Sequence, residues 1–176
     1  MKKIYSKIEV NKAINKITDY IYNIKEDLCL LPILNGGFYL WMKLSISLYK
    51  KYGTIYRSCF LNSFSYGNNA CSVKDPEIFC ADISNIESSS TIVIIDDIID
   101  SGRTMKKVIN FVREIGNKEI YITSLLLRRF ENNIKENSFS PIIIEDNAFI
   151  VGSGMGLGEQ YRDLEGLYEL EQSDIS

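Results

Sequence analysis

Two stretches of this sequence, Leu28–Leu34 and residues 91–95, are apolar or β-branched at every position, with no polar residue alternating between them. A strand without a wet face is buried on both sides, which is the condition inside a parallel sheet covered by helices. The residues after each run agree with that. Asn35, Gly36 and Gly37 break the first run, and residues 38–52 then read as a helix closed by Gly53. Residues 96–103 form a turn after the second, and Met105, Val108, Ile109, Val112 and Ile115 make a helical stripe ended by Gly116. Ahead of both, Val10, Ile14, Ile17, Ile21 and Ile24 recur at helical spacing, and Ser6 and Glu9 are placed as a capping box. Further strands are predicted over 54–63, 77–83, 119–127, 141–144 and 149–151, with a long loop over 62–75 and a polar turn over 86–90. The order β, α, β, β, α, β predicts an α/β fold, a mainly parallel twisted sheet flanked by helices. At 176 residues, against about 100–200 per domain, residues 1–176 are expected to form a single domain.

Composition removes several chemistries. The chain has no histidine, which excludes Ser-His-Asp and Cys-His catalysis and histidine zinc sites, and leaves acid–base work to carboxylates. Twenty Lys and Arg against twenty-three Asp and Glu give a net charge of −3, without the basic excess that tracks a nucleic-acid backbone. Cys29, Cys59, Cys71 and Cys80 show no C-x-x-C spacing and are expected to be reduced thiols. No apolar run approaches the ~18 residues of a membrane span, nor does residue 1 open an apolar leader. The expected location is cytoplasmic, with no membrane partner.

The segment that carries chemistry joins the second apolar run to its helix: Ile95, Asp96, Asp97, Ile98, Ile99, Asp100, Ser101, Gly102, Arg103, Thr104, Met105. The first amides of a helix have no intrahelical partner, and the macrodipole puts about half a positive charge there. A phosphate monoester fits such a cradle: Gly102 lets the backbone close on it, Ser101 and Thr104 add hydroxyls, and Arg103 adds charge. Asp96 and Asp97, beside it, suit a ribose diol or its magnesium ion, and Asp100 is left facing the reacting centre. A cap needs one carboxylate, whereas three clustered like charges favour a ligand. Neither a G-x-G-x-x-G nor a Walker-type glycine loop occurs in the chain.

This segment resembles the phosphoribosyl-pyrophosphate signature of type I phosphoribosyltransferases, and most closely the hypoxanthine-guanine (6-oxopurine) branch. Other residues extend the resemblance. The run Leu34-Asn35-Gly36-Gly37 is similar to the family's pyrophosphate loop, which takes a cis peptide; Asn35 replaces its usual lysine. Ser65, Tyr66 and Gly67 resemble the loop that closes over the site. Arg128 stands where relatives carry a lysine that donates to the purine, and Phe149 and Ile150 match a segment whose aromatic stacks on the base while its backbone reads the base edge. Arg162, in Tyr161-Arg162-Asp163-Leu164, matches an arginine that reaches pyrophosphate. Gly156 replaces an aspartate that binds a second magnesium ion.

The resemblance implies a type I phosphoribosyltransferase fold with a small hood built from the N-terminal and C-terminal segments. It implies transfer of the 5-phosphoribosyl group from phosphoribosyl pyrophosphate to hypoxanthine or guanine in purine salvage. Asp100 is the expected catalytic acid–base; Asp96 and Asp97 are the expected Mg²⁺ ligands. Asn35, Gly36, Ser65, Tyr66, Ser101, Gly102, Arg103, Thr104 and Arg162 are expected on phosphoribosyl pyrophosphate, and Arg128, Phe149 and Ile150 on the base. Partners are small molecules and copies of the chain, as a homodimer or homotetramer. Arg128 and Gly156 leave xanthine or another base as an alternative acceptor, and a non-catalytic nucleotide-sensing regulator uses the same fold.

Overall fold

Runs that are apolar at every position become central strands here, in a computed structural model that describes residues 1–24, 27–64, 77–128, 136–171 and 174. In chain order the elements are β1 (Lys2–Tyr5), α1 (Lys7–Ile24), β2 (Leu28–Leu34), α2 (Gly37–Tyr52), β3 (Arg57–Ser58), β4 (Leu61–Phe64), β5 (Glu77–Cys80), α3 (Ser84–Glu87), β6 (Thr91–Ile99), α4 (Arg103–Ile115), β7 (Glu119–Arg128), β8 (Asn137–Phe139), β9 (Ile142–Ile144), β10 (Phe149–Val151) and β11 (Leu167–Leu170). The main sheet runs β5-β4-β2-β6-β7-β8, with β3 also on β2 and β9 also on β7. All its pairings are parallel except β4 with β5. Successive residues of the central strands feed two different cores. Leu28, Leu30, Val93 and Ile95 pack with α1 and α2, while Cys29, Leu31, Ile92 and Ile94 pack with α4. That division is why neither strand has a polar face.

The capping box forms at the start of α1: Ser6 N donates to Glu9 Oε2 at 2.8 Å, and Glu9 N donates to Ser6 Oγ at 3.3 Å. A second, three-stranded sheet, β1-β11-β10, draws its antiparallel strands from both ends of the chain.

Three expectations need correction. Residues 54–63 do not make one strand. Leu30 O accepts from Cys59 N at 2.9 Å, so Pro32, two residues on, faces the same neighbour with no N–H to give, and the ladder breaks at Cys59 and Phe60. The expected turn over 86–90 overlaps a short helix, α3, which begins where Ser84 N donates to Asp82 Oδ1 at 2.9 Å and which buries Ile86. The strand expected to stop at residue 95 continues through the aspartates to Ile99. Asp97 has no ladder partner there. Beyond it the alternation inverts, Ile98 packing with α1 and α2 and Ile99 with α4. Side chains satisfy the irregularity: Asp97 N donates to Asp96 Oδ1 at 3.0 Å, Ile98 N to Asp97 Oδ1 at 2.8 Å, and on the facing strand Ser124 Oγ to Leu126 O at 2.7 Å. Cys29, Cys59 and Cys80 are free thiols, as expected; Cys71 lies outside the described residues.

Candidate active site

In an open parallel sheet a ligand sits beyond the carboxyl ends of the strands. A cavity of about 800 Å³ opens there, between the ends of β2, β4 and β6, the start of α4 and residues 158–162. It gathers Asn35, Gly36, Asp96, Asp97, Asp100, Ser101, Gly102, Arg103, Thr104 and Arg162, all singled out in the sequence. Ser65 and Tyr66 lie outside the described residues.

The floor of the cavity is helix start. Gly102 has φ 72°, a left-handed conformation in which any Cβ is strained, and it turns the chain from β6 into α4. The first bond of the helix runs from Lys106 N to Gly102 O at 2.9 Å. The amides of Arg103, Thr104 and Met105 precede it, with no side-chain cap over them. Arg103 Nε donates to Ser101 Oγ at 3.4 Å.

One wall is the turn after β2. The Leu34–Asn35 peptide bond is cis, as the resemblance implied. A Cβ on Gly36 would stand 2.1 Å from Asp97 Oδ2 and 2.5 Å from its Cγ. Only a glycine lets the Asp97 carboxylate lie this close to the loop. Burial and the neighbouring Asp97 charge hold the Asp96 carboxyl well above the usual carboxylate range. Burial raises Asp97 as well, while its bond with Asp96, the Ile98 N–H and the Arg162 charge pull it back. A cation would relieve two adjacent carboxyls raised by burial, and hard carboxylate oxygens suit Mg²⁺. Among the described residues no cluster of three or more His, Cys, Asp or Glu side chains forms a metal cage. The pair therefore fits an ion that takes its other ligands from substrate and water.

The opposite wall is held by Arg162. Its Nη1 donates to Gly154 O and its Nη2 to Gly158 O, each at 2.9 Å. Tyr161, with φ 70°, turns the chain sharply just before it. A Cβ on Gly156 would stand 2.7 Å from Gln160 O and 2.8 Å from Arg162 Cγ, so the arginine's packing requires glycine there.

The residues expected on the base are not among those lining this cavity. Ile150 is buried in the core with Leu167, and Phe149 is half-buried on β10. Arg128 ends β7 and is only 9% exposed. Its Nη1 donates to Asp146 O, its Nη2 donates to Ala148 O at 3.0 Å, and its Nε lies 2.8 Å from Asp100 Oδ1. The Asp100 carboxylate, 63% exposed, thus bridges the cavity and the Arg128 side. Asn62, Ser63, Gly158 and Glu159 also line the cavity and were not among the residues singled out in the sequence. The first two had a signal, since they end a strand on the same edge of a parallel sheet.

Several known proteins are similar to this chain. A hypoxanthine phosphoribosyltransferase of Buchnera aphidicola subsp. Schizaphis graminum is 29% identical over 161 residues, covering 89% of this chain and 86% of that one. The hypoxanthine-guanine phosphoribosyltransferase of Homo sapiens is 30% identical over 106 residues, 60% of this chain and 48% of its own length. A bifunctional protein TilS/HprT of Listeria monocytogenes serotype 4b (strain F2365) is 28% identical over 117 residues, 66% of this chain, and the match spans only 18% of that longer protein. Among solved structures, hypoxanthine phosphoribosyltransferase from Trypanosoma cruzi in complex with the product IMP superposes with a TM-score of 0.78 at 19% identity, over 98% of this chain and 95% of that one; the likeness is one of fold. Residues 2–155 match the family described as phosphoribosyl transferase domain, and to that family the chain belongs.

Proposed function

We propose that this chain transfers the 5-phosphoribosyl group from phosphoribosyl pyrophosphate to a 6-oxopurine, hypoxanthine or guanine, in purine salvage. The observation that carries the reading is the convergence on one cavity of a helix start, a glycine turn with a cis peptide, and three carboxylates. The amides of residues 103–105, with the Ser101 and Thr104 hydroxyls, hold the 5-phosphate. Asn35 and Gly36 meet the departing pyrophosphate, and Arg162, whose terminal nitrogens donate to Gly154 O and Gly158 O in the cavity wall, adds its positive charge to stabilise the charge that grows there. Asp96 and Asp97 would hold Mg²⁺, which would neutralise charge on the diphosphate.

The C1–oxygen bond to pyrophosphate breaks, the purine ring nitrogen bonds to C1, and the proton leaves that ring. Asp100, exposed at the cavity mouth, is positioned to stabilise the cationic sugar and take that proton, a role worth about 10²–10⁴-fold. Ser65 and Tyr66 are proposed to cover the reacting groups, and Phe149 and the Ile150 backbone to meet the base. The exposed rings of Phe38 and Phe60, 6.4 Å apart beside Trp41, support a homodimer or homotetramer.

The test incubates the purified chain with Mg²⁺ and phosphoribosyl pyrophosphate and each of adenine, hypoxanthine, guanine and xanthine, measuring pyrophosphate release. Turnover with hypoxanthine or guanine is expected. Turnover with xanthine alone would change the acceptor, and tight binding of phosphoribosyl pyrophosphate with no turnover would make the chain a ligand-binding regulator.

A further inference from the structure

A cation buried to the extent of Arg128 is stable only if its N–H groups are occupied and its charge is matched. The guanidinium matches its charge and occupies both terminal nitrogens by spanning three separate parts of the chain. It leaves from the end of β7, donates to the carbonyls of Asp146 and Ala148 just ahead of β10, and brings Nε to 2.8 Å from Asp100, which comes after β6. The Nε–carboxylate contact is an ion pair without hydrogen-bond alignment, since Nε has no hydrogen-bond partner among the described residues.

We infer that Arg128 is a positioning residue for Asp100: its guanidinium fixes the acid relative to the segment that enters β10, and recognition of the base does not depend on it. Three features carry this. The two terminal nitrogens each spend a bond on a backbone carbonyl, which aims the planar fork along the protein wall and away from open space. Asp100 is largely exposed, so its contact with Arg128 is what restrains the carboxylate. The fork is rigid, so carbonyls that fix Nη1 and Nη2 also fix Nε. A lysine ammonium in this place is a single point of charge and cannot span both carbonyls and the acid. The inference rests on the proposed role of Asp100.

The experiment compares Arg128→Met, Arg128→Lys, Asp100→Asn and the double variant Arg128→Met/Asp100→Asn, measuring kcat and KM for hypoxanthine, guanine and adenine with thermal unfolding of each protein. A displaced acid lowers kcat by about 10- to 100-fold, so that loss is expected in Arg128→Met, with KM for phosphoribosyl pyrophosphate and the preference for hypoxanthine over adenine kept within about twofold. Arg128→Lys should fail to restore the rate, and the double variant should be no slower than Asp100→Asn alone, because the two act as a unit. Loss of base discrimination, with Arg128→Lys active and the double variant showing multiplied losses, would overturn the inference in favour of direct base contact. If the wild type turns over no base, the proposed reaction fails, and the clasp is then read from unfolding. Non-additive shifts in Tm for the two substitutions support it; additive shifts overturn it.

Discussion

The two ends of this site are built from different material. Around the cavity, Arg162 on one wall apart, the contacts are made by backbone and by short side chains at strand ends: the Gly36 turn against Asp97, and the open amides of α4 beyond Gly102. On the Arg128 side one long side chain is stretched across three segments. A backbone-built end is held by the whole sheet, so a single added methyl group is a steric conflict with few ways out. A side-chain-built end depends on one residue's reach, and substitutions near it change fit by degrees.

Gly36→Ala is the most direct way to break the contrast. The new Cβ would stand 2.1 Å from Asp97 Oδ2, so the carboxylate or the loop must move. A shift of about 1 Å at a reacting site costs on the order of 10²-fold in rate. The expected result is a loss of that size in kcat/KM for phosphoribosyl pyrophosphate with little change in Tm, read by steady-state kinetics beside a thermal melt. Near-normal kinetics would mean that the close approach of loop and acid is incidental.

Gly102→Ala tests the same end through the backbone. An alanine at φ 72° costs about 1–2 kcal/mol, which weakens phosphate binding by about 10-fold if the strain is relieved by rotating the amides away. Titration calorimetry with phosphoribosyl pyrophosphate separates that outcome from a loss of stability alone. At the other end, Phe149→Leu removes an aromatic face worth about 0.5–1.5 kcal/mol. KM for the base should rise about 2- to 10-fold with phosphoribosyl pyrophosphate affinity unchanged, and an equal change in both would erase the distinction between the ends.

The same difference in material decides what could be read from the sequence. Strand β2 and the apolar first half of β6 were legible because Leu28 to Leu31 and Ile92 to Ile95 alternate between two cores and leave no wet face. The proposed anion cradle was legible as a pattern because Gly102 and the acids before it are adjacent in the chain. What escaped needed a partner far along the sequence. Pro32 breaks a ladder with residues 59–60, and the extension of β6 through Asp97 is satisfied partly by the side chains of the aspartates that looked like a turn. Arg128 could be placed at the end of its strand, but its direction is set by carbonyls 18 and 20 residues later.

The smallest expected effects come from pH, where two acidic positions should show opposite signs. Glu9 is held below the usual carboxylate value of 4.5, first by the Ser6 N–H and then by its hydroxyl. Its contribution to stability is therefore present above that value and disappears as pH falls through the folded-state value. Glu9→Gln should lower Tm at neutral pH, and the gap to wild type should close in acid. Asp96 is raised above 3.8 by burial and by Asp97. Between 3.8 and its folded-state value the native chain holds more protons than the unfolded chain, so this group's contribution falls as pH rises. In chelator, Asp96→Asn should melt above wild type at neutral pH, by about 2–4 °C for each kcal/mol recovered, and the advantage should vanish toward pH 3.8. The capping box would then hold an acid kept for folding, and the cavity a pair kept at folding's expense. Equal melting of Asp96→Asn and wild type across that range would remove the charge conflict from which the cation fit is argued.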